Sequence, residues 1–211
     1  MALTYAQLST AIQDYCESTE TSFVSNISVF VQQAEDRINK SILLPVYIKN
    51  VSGNLTASNR FLSSPSDFLA QLSLTIIVNG AYTTLNEVDA SFLREAYPNN
   101  SVTGVPVCYS LFNNDSFFVG PVPDSSYDVN LEYYYSPESI VTAGTSWLGE
   151  NADSCLLYGC LVEAYTYLKG EPDRLAMYDA KYKEALSRLK TLGEGWSTRD
   201  SFRGDQRVPV S

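Results

Sequence analysis

Residues 147–190 read WLGENADSCLLYGCLVEAYTYLKGEPDRLAMYDAKYKEALSRLK. Two helical patterns meet across Gly170-Glu171-Pro172-Asp173. In the first, Leu156, Leu157, Leu161, Ala164, Tyr165 and Leu168 recur at helical spacing, which predicts a helix over about 152–168. Asn151-Ala152-Asp153 supplies candidate capping side chains. Gly170 suits the end of this helix and Pro172 the first turn of the next. The second helix is expected over 172–192, with Leu175, Tyr178, Tyr182, Ala185, Leu186 and Leu189 on its apolar face and Gly193-Glu194-Gly195 as its stop. A pair this rich in Tyr and Leu needs another surface to cover it.

The N-terminal residues offer that surface. Leu8, Ala11, Ile12 and Tyr15 predict a helix over 4–17. Phe23, Ile27, Phe30, Val31, Ala34 and Ile38 predict a second over 22–42, with Ser22 as N-cap and Pro45 beyond its end. Between residues 46 and 137 the period changes. Leu72 to Val78 precedes Asn79-Gly80, a hairpin signal because both residues tolerate positive φ. Val107–Phe112 and Phe117–Val119 flank a second polar turn, Asn113-Asn114-Asp115. Residues 127–135 alternate, with Val129, Leu131, Tyr133 and Tyr135 on one face and Asp128, Asn130, Glu132 and Tyr134 on the other. DASFLREAY, residues 89–97, reads as a short helix.

The expected fold is therefore α+β. Residues 1–45 and 138–195 form one four-helix bundle, residues 46–137 an inserted antiparallel β-sandwich or barrel-like domain, and residues 196–211 an extended tail. That tail carries Arg199, Arg203 and Arg207 at a spacing of four, with Trp196 and Phe202, a composition suited to docking on a partner.

Composition narrows the chemistry. The 211 residues contain no His, which removes the commonest general base and metal ligand. Cys16, Cys108, Cys155 and Cys160 form no CxxC pair, and Cys155 and Cys160 point apart on one helix. MALTYAQLSTAIQDY lacks the charged start and apolar run of a secretory leader, so reduced, buried cytosolic thiols are expected. No run is apolar enough to span a membrane. Asp14 with Glu17, Glu35 with Asp36 and Asp124 with Asp128 are carboxylate pairs without an aromatic cleft pattern around them. Phosphate-loop, dinucleotide and nucleophile-elbow motifs are lacking, so neither an enzyme nor a cofactor is expected.

The net charge of −10 is unevenly spread. Residues 1–168 hold 5 basic and 17 acidic side chains, giving −12; residues 169–211 hold 9 and 7, giving +2. An acidic body of this kind does not grip a phosphate backbone.

Several segments together resemble the head-to-tail adaptors of tailed bacteriophages. They are Pro65-Ser66-Asp67-Phe68-Leu69, Asn79-Gly80, FLREAYPNNSVTGVPVCYSLF, FVGPVPDSSYDVNLEYYYSPESI, TSWLGENADSCLLYGCLVEAYTYLKGE and YDAKYKEALSRLK, in that order across residues 5–205. The most specific pieces are Gly104-Val105-Pro106, Pro121-Val122-Pro123 and the stretch from Trp147-Leu148 to Lys169-Gly170-Glu171. The resemblance implies a homo-oligomeric ring, usually of about twelve copies, below the portal protein in the virion neck, assembled in the host cytoplasm. Helices would make the ring body, the β insert would face a tail nozzle or tail-tube protein, and the C-terminal segment would reach onto the portal. The ring would continue the channel for double-stranded DNA without binding it specifically. Candidate portal-docking residues are Trp196, Arg199, Phe202, Arg203 and Arg207; candidate tail-side residues are Tyr133, Tyr134 and Tyr135. The alternatives are a tail-completion or tail-tube component, or a β-domain binding module in which the three tyrosines stack on carbohydrate.

Overall fold

The computed structural model describes residues 3–113 and 115–197, the last four of these by backbone alone. The chain divides into two compact units, one built from the residues up to Pro45 and from Glu138 onward, the other from Val46–Pro137. The fold is α+β.

In the helical unit the long elements are α1 (Tyr5–Cys16), α2 (Thr21–Ser41), α6 (Asp153–Leu168) and α7 (Pro172–Ser197), with the short α4 (Ile140–Ala143) and α5 (Trp147–Asn151) between them. A reciprocal capping box starts α1: Gln7 N–H donates to Thr4 Oγ1 at 3.3 Å, and Thr4 N–H donates to Gln7 Oε1 at 3.0 Å. Its stripe residues Leu8 and Ile12 are fully buried.

Helix α6 is the shared partner of α1, α2 and α7. Its buried residues, among them Leu156, Cys160, Leu161 and Ala164, cover more than one face, as a helix enclosed by several neighbours requires. A Cβ at Gly159 would meet Ala34 of α2 and Tyr182 of α7, both at 3.3 Å. A smaller residue at this point lets both flanking helices approach closely.

Several helix boundaries differ from expectation. Helix α2 begins at Thr21 behind Glu20, which makes no side-chain cap, so Ser22 lies inside it. The single helix expected from 152 is preceded by α5, capped by Ser146, whose Oγ accepts from Gly149 N–H at 3.2 Å. Lys169, with φ of 51°, takes the left-handed position that was expected of Gly170; a Cβ at Gly170 would lie 2.6 Å from the Tyr165 ring. Gly193-Glu194-Gly195 does not stop α7, which continues to Ser197. Gly193 is buried, and a Cβ there would come within 3.1 Å of Leu44. Glycine lowers helix propensity without forbidding the helix, so it is a weak stop signal.

A 3-10 turn, Pro45–Tyr47, leads into β1 (Ile48–Leu55) of the second unit. The remaining elements are β2 (Phe61–Ser63), β3 (Phe68–Val78), β4 (Ala81–Thr84), β5 (Asn86–Glu87), α3 (Ala90–Ala96), β6 (Thr103–Gly104), β7 (Cys108–Asn113), β8 (Ser116–Gly120), β9 (Val122–Pro123) and β10 (Tyr127–Tyr135). One four-stranded antiparallel sheet runs β1-β10-β3-β4, with Val51 opposite Leu131 and Leu131 opposite Leu74. The other runs β2-β8-β7-β5, antiparallel except for the parallel pair β5–β7. Strands β6 and β9 form a parallel pair. Asn79 and Gly80, at φ of 52° and 82°, make the expected tight turn between β3 and β4.

Leu74, Ile76, Val129 and Leu131 of the first sheet and Tyr109, Phe117 and Val119 of the second lie in one buried core. Full burial of side chains of this size stabilises by about 1.5–3 kcal/mol each. Among the described residues neither sheet closes on itself, so the barrel-like alternative does not hold: β1 and β4 bound one sheet, β2 and β5 the other.

On the second sheet's other face, α3 packs Leu93 over Cys108 and Phe118. Asp89 caps this helix, its Oδ1 accepting from Ser91 N–H at 2.9 Å. Gly120 makes the close approach possible, since a Cβ there would lie 2.4 Å from Leu93 Cδ2 and 2.7 Å from Tyr97 Cδ2.

Candidate assembly surfaces

The three consecutive tyrosines of β10 do not form one aromatic platform. Tyr133 is 3% exposed and stacks on Phe68 at 6.0 Å. Its hydroxyl donates to Asp67 Oδ1 at 2.8 Å, and burial, then Asp67, pushes its pKa up to about 12. Asp67 also receives Lys49 Nζ at 2.7 Å, and that hydrogen bond leads the effects that hold its carboxyl below the usual range. Tyr135 is half-buried, edge-on to Tyr47, with Lys49 Nζ 3.9 Å from its ring centroid. Tyr134 is half-buried as well. The period of two that placed Val129 and Leu131 in the core carries Tyr133 there too, so it is closed to a sugar ring.

The second sheet carries an aromatic feature that pattern reading missed. Phe61 and Phe112 are 43% and 45% exposed, and their ring centroids lie 5.4 Å apart, edge to face. Both adjoin the buried Phe118, at 5.4 Å and 6.3 Å. The Arg60 guanidinium sits 4.0 Å over the Phe118 ring and that of Arg94 5.9 Å from the Phe112 ring. Arg60 Nη1 donates to Tyr97 O at 3.4 Å and Asn100 Oδ1 at 3.2 Å. Its Nε and Nη2 are buried without a hydrogen-bond partner, and burial lowers its pKa. The signal in the sequence was scarcity: residues 46–137 hold only Lys49, Arg60 and Arg94 against eight acidic side chains.

In the helical unit Tyr15, Tyr158 and Tyr165 surround Tyr178, with centroid distances of 6.4, 6.3 and 4.9 Å. Tyr165 donates its hydroxyl to Tyr15 O at 3.3 Å. Arg37 of α2 ion-pairs with Glu163 of α6 and lies 5.7 Å from the Tyr182 ring. Val24, Val29, Tyr167, Met177 and Leu192 leave apolar surface exposed on the long helices. Cys108, Cys155 and Cys160 are buried and Cys16 is half-buried; all four are free thiols whose pKa burial raises. Among the described residues no three His, Cys, Asp or Glu side chains gather as a metal site requires, and no helix is long and apolar enough to cross a membrane.

Glu35, one of the carboxylates weighed as an acid–base pair, is a structural acceptor. Ser139 Oγ donates to Glu35 Oε2 at 2.5 Å and Ile140 N–H to Oε1 at 3.0 Å.

A protein-family model described as SU10 adaptor protein matches residues 3–209. The chain belongs to the SU10 adaptor protein family. This is a family of bacteriophage head-to-tail adaptors, and the chain is a structural protein of the phage virion. Membership implies a place in the virion neck and contacts with portal and tail proteins in an oligomeric assembly. No curated protein matches the chain. The match spans both compact units of this adaptor and most of its C-terminal tail. Of the residues expected to dock on the portal, Trp196 falls on the backbone of α7, while its side chain and Arg199, Phe202, Arg203 and Arg207 lie outside the described residues.

Proposed function

We propose that this adaptor forms a ring of about twelve copies between portal and tail, continuing the DNA channel. Residues 1–45 and 138–195 make the ring body as a four-helix bundle gathered on α6. Residues 46–137 form a sandwich-like tail-side module, and residues 196–211 dock on the portal. The observation that carries this reading is that one adaptor family model runs through both units and into the basic tail.

Each assignment has physical support. The exposed apolar side chains of α2, α6 and α7 suit contacts between copies. The −12 charge of residues 1–168 suits a wall past which DNA moves without adhering. The arginines of the tail suit an acidic groove. Tyr134 and Tyr135 are available to the tail-side surface, whereas Tyr133 serves it by holding β10 in place. The role is structural and not catalytic, and its setting before incorporation is the host cytoplasm.

Deleting residues 196–211 tests the docking assignment. The truncated chain is expected to keep the thermal unfolding of its helical unit and to lose portal binding. Full-strength binding by the truncated chain contradicts it.

A further inference from the structure

Phe61 and Phe112 are exposed rings set beside two arginines. Large exposed aromatic side chains beside arginine are the composition of interface hot spots. The electrostatics are equally specific. Of the three cations in residues 46–137, Lys49 is paired with Asp67. Arg60 and Arg94 have no carboxylate within ion-pair reach among the described residues, although the unit holds eight acidic side chains. Both lie instead against phenylalanine rings. Arg60 is only 9% exposed, and its Nε and Nη2 lack acceptors. Arg60 is enclosed against Phe118, whereas Arg94 is exposed, and a carboxylate is the best complement of an exposed guanidinium.

We propose that Phe61, Phe112 and Arg94, grouped around the Phe118–Arg60 stack, form the docking surface for a tail-side protein segment that presents an apolar side chain flanked by carboxylates. The inference rests on the adaptor reading and deepens it by naming the surface and the chemistry it recognises. The apolar side chain covers the two exposed rings, and the carboxylates meet Arg94. Charge complementarity sets the partner: the unit that carries the patch is otherwise acidic, and its remaining cation, Lys49, is already paired with Asp67, which leaves Arg94 as the exposed guanidinium an acidic segment would seek. Contacts between copies fall, in the same reading, to the exposed apolar side chains of the helical unit.

The test uses phage particles carrying the full-length chain as Arg94→Glu with Phe112→Ser, and separately as Phe61→Ser. All three side chains are exposed, and the purified variants should melt as wild type does. Heads are purified, their adaptor content is measured, and attached tails are counted by electron microscopy. The expected result is heads with wild-type adaptor content and a loss of tails of roughly tenfold or more, the scale of a hot-spot residue. Tailed heads at the wild-type level overturn the proposal. So does loss of the adaptor from heads by a variant that melts normally, which assigns the patch to a neighbouring copy or to the portal. A gene-deletion control separates the two readings: tails retained on heads lacking the adaptor would overturn the adaptor function itself.

Discussion

Glu35 on α2 accepts the backbone N–H of Ile140, 105 residues later in the chain, at 3.0 Å. Its other oxygen accepts the Ser139 hydroxyl, and Ser139 in turn caps α4. The residues between them include the whole β unit. One buried carboxylate thus fixes the point at which the chain rejoins its helical unit. Burial pushes the Glu35 carboxyl up, and the bonds from Ser139 and Ile140 act in the opposite direction.

Removing that carboxylate leaves a buried N–H and a hydroxyl without acceptors, each costing about 1–3 kcal/mol. Glu35→Ala is expected to destabilise the helical unit by roughly 3 kcal/mol, and Glu35→Gln by less, because its amide oxygen can still accept from Ile140. Urea unfolding followed by circular dichroism checks the order. Equal midpoints for Glu35→Ala and wild type would show that the clamp contributes nothing.

Asp67 performs a similar task in the β unit, receiving Lys49 and Tyr133. Its folded pKa is depressed, so its stabilisation is present above the ordinary carboxylate pKa and is lost as pH falls through the folded value. Asp67→Asn is expected to destabilise the β unit by roughly 1 kcal/mol at neutral pH, a modest figure because the pair is partly solvated. The difference from wild type should vanish in acid. A difference that persists unchanged down to acid pH would assign the effect to packing rather than charge.

Gly120 is the place where α3 meets its sheet. The methyl of Gly120→Ala would press on the side chains of Leu93, which is fully buried, and Tyr97, so one or both must shift. The expected loss is about 1–3 kcal/mol, with faster amide exchange across α3 than elsewhere in the unit. Unchanged exchange in α3 would mean that Leu93 and Tyr97 repack freely.

Local features of this fold could be read from the sequence because their causes are local. The alternation of residues 127–135 put Val129 and Leu131 in the core, and Asn79-Gly80 marked its hairpin. Features that depend on distant partners could not be read in this way. Gly193 lies inside α7 close to Leu44, a residue far off in the sequence. The role of Glu35 depends on Ser139 and Ile140, and the Phe61–Phe112 pair joins two strands far apart in sequence. Tyr133 stands among three consecutive tyrosines, and the alternation of β10 alone sends it inward.

The thiols give a test of the helical core. Burial raises the pKa of Cys16 to about 11 and of Cys155 to about 12, so almost no thiolate is present at neutral pH. At pH 8 Cys16 and Cys155 of the native chain should react with an aromatic disulfide reagent at least roughly a hundredfold more slowly than in the unfolded chain, Cys16 before Cys155. Rapid labelling of Cys155 or Cys160 would contradict the enclosed position of α6.

Assembly on a portal is decided by native mass measurement of the purified chain alone and mixed with its portal ring. The expected result is a discrete complex in which one ring of adaptor copies is added to the portal, with no such ring required of the chain alone. A portal mass left unchanged under every mixing condition would contradict it.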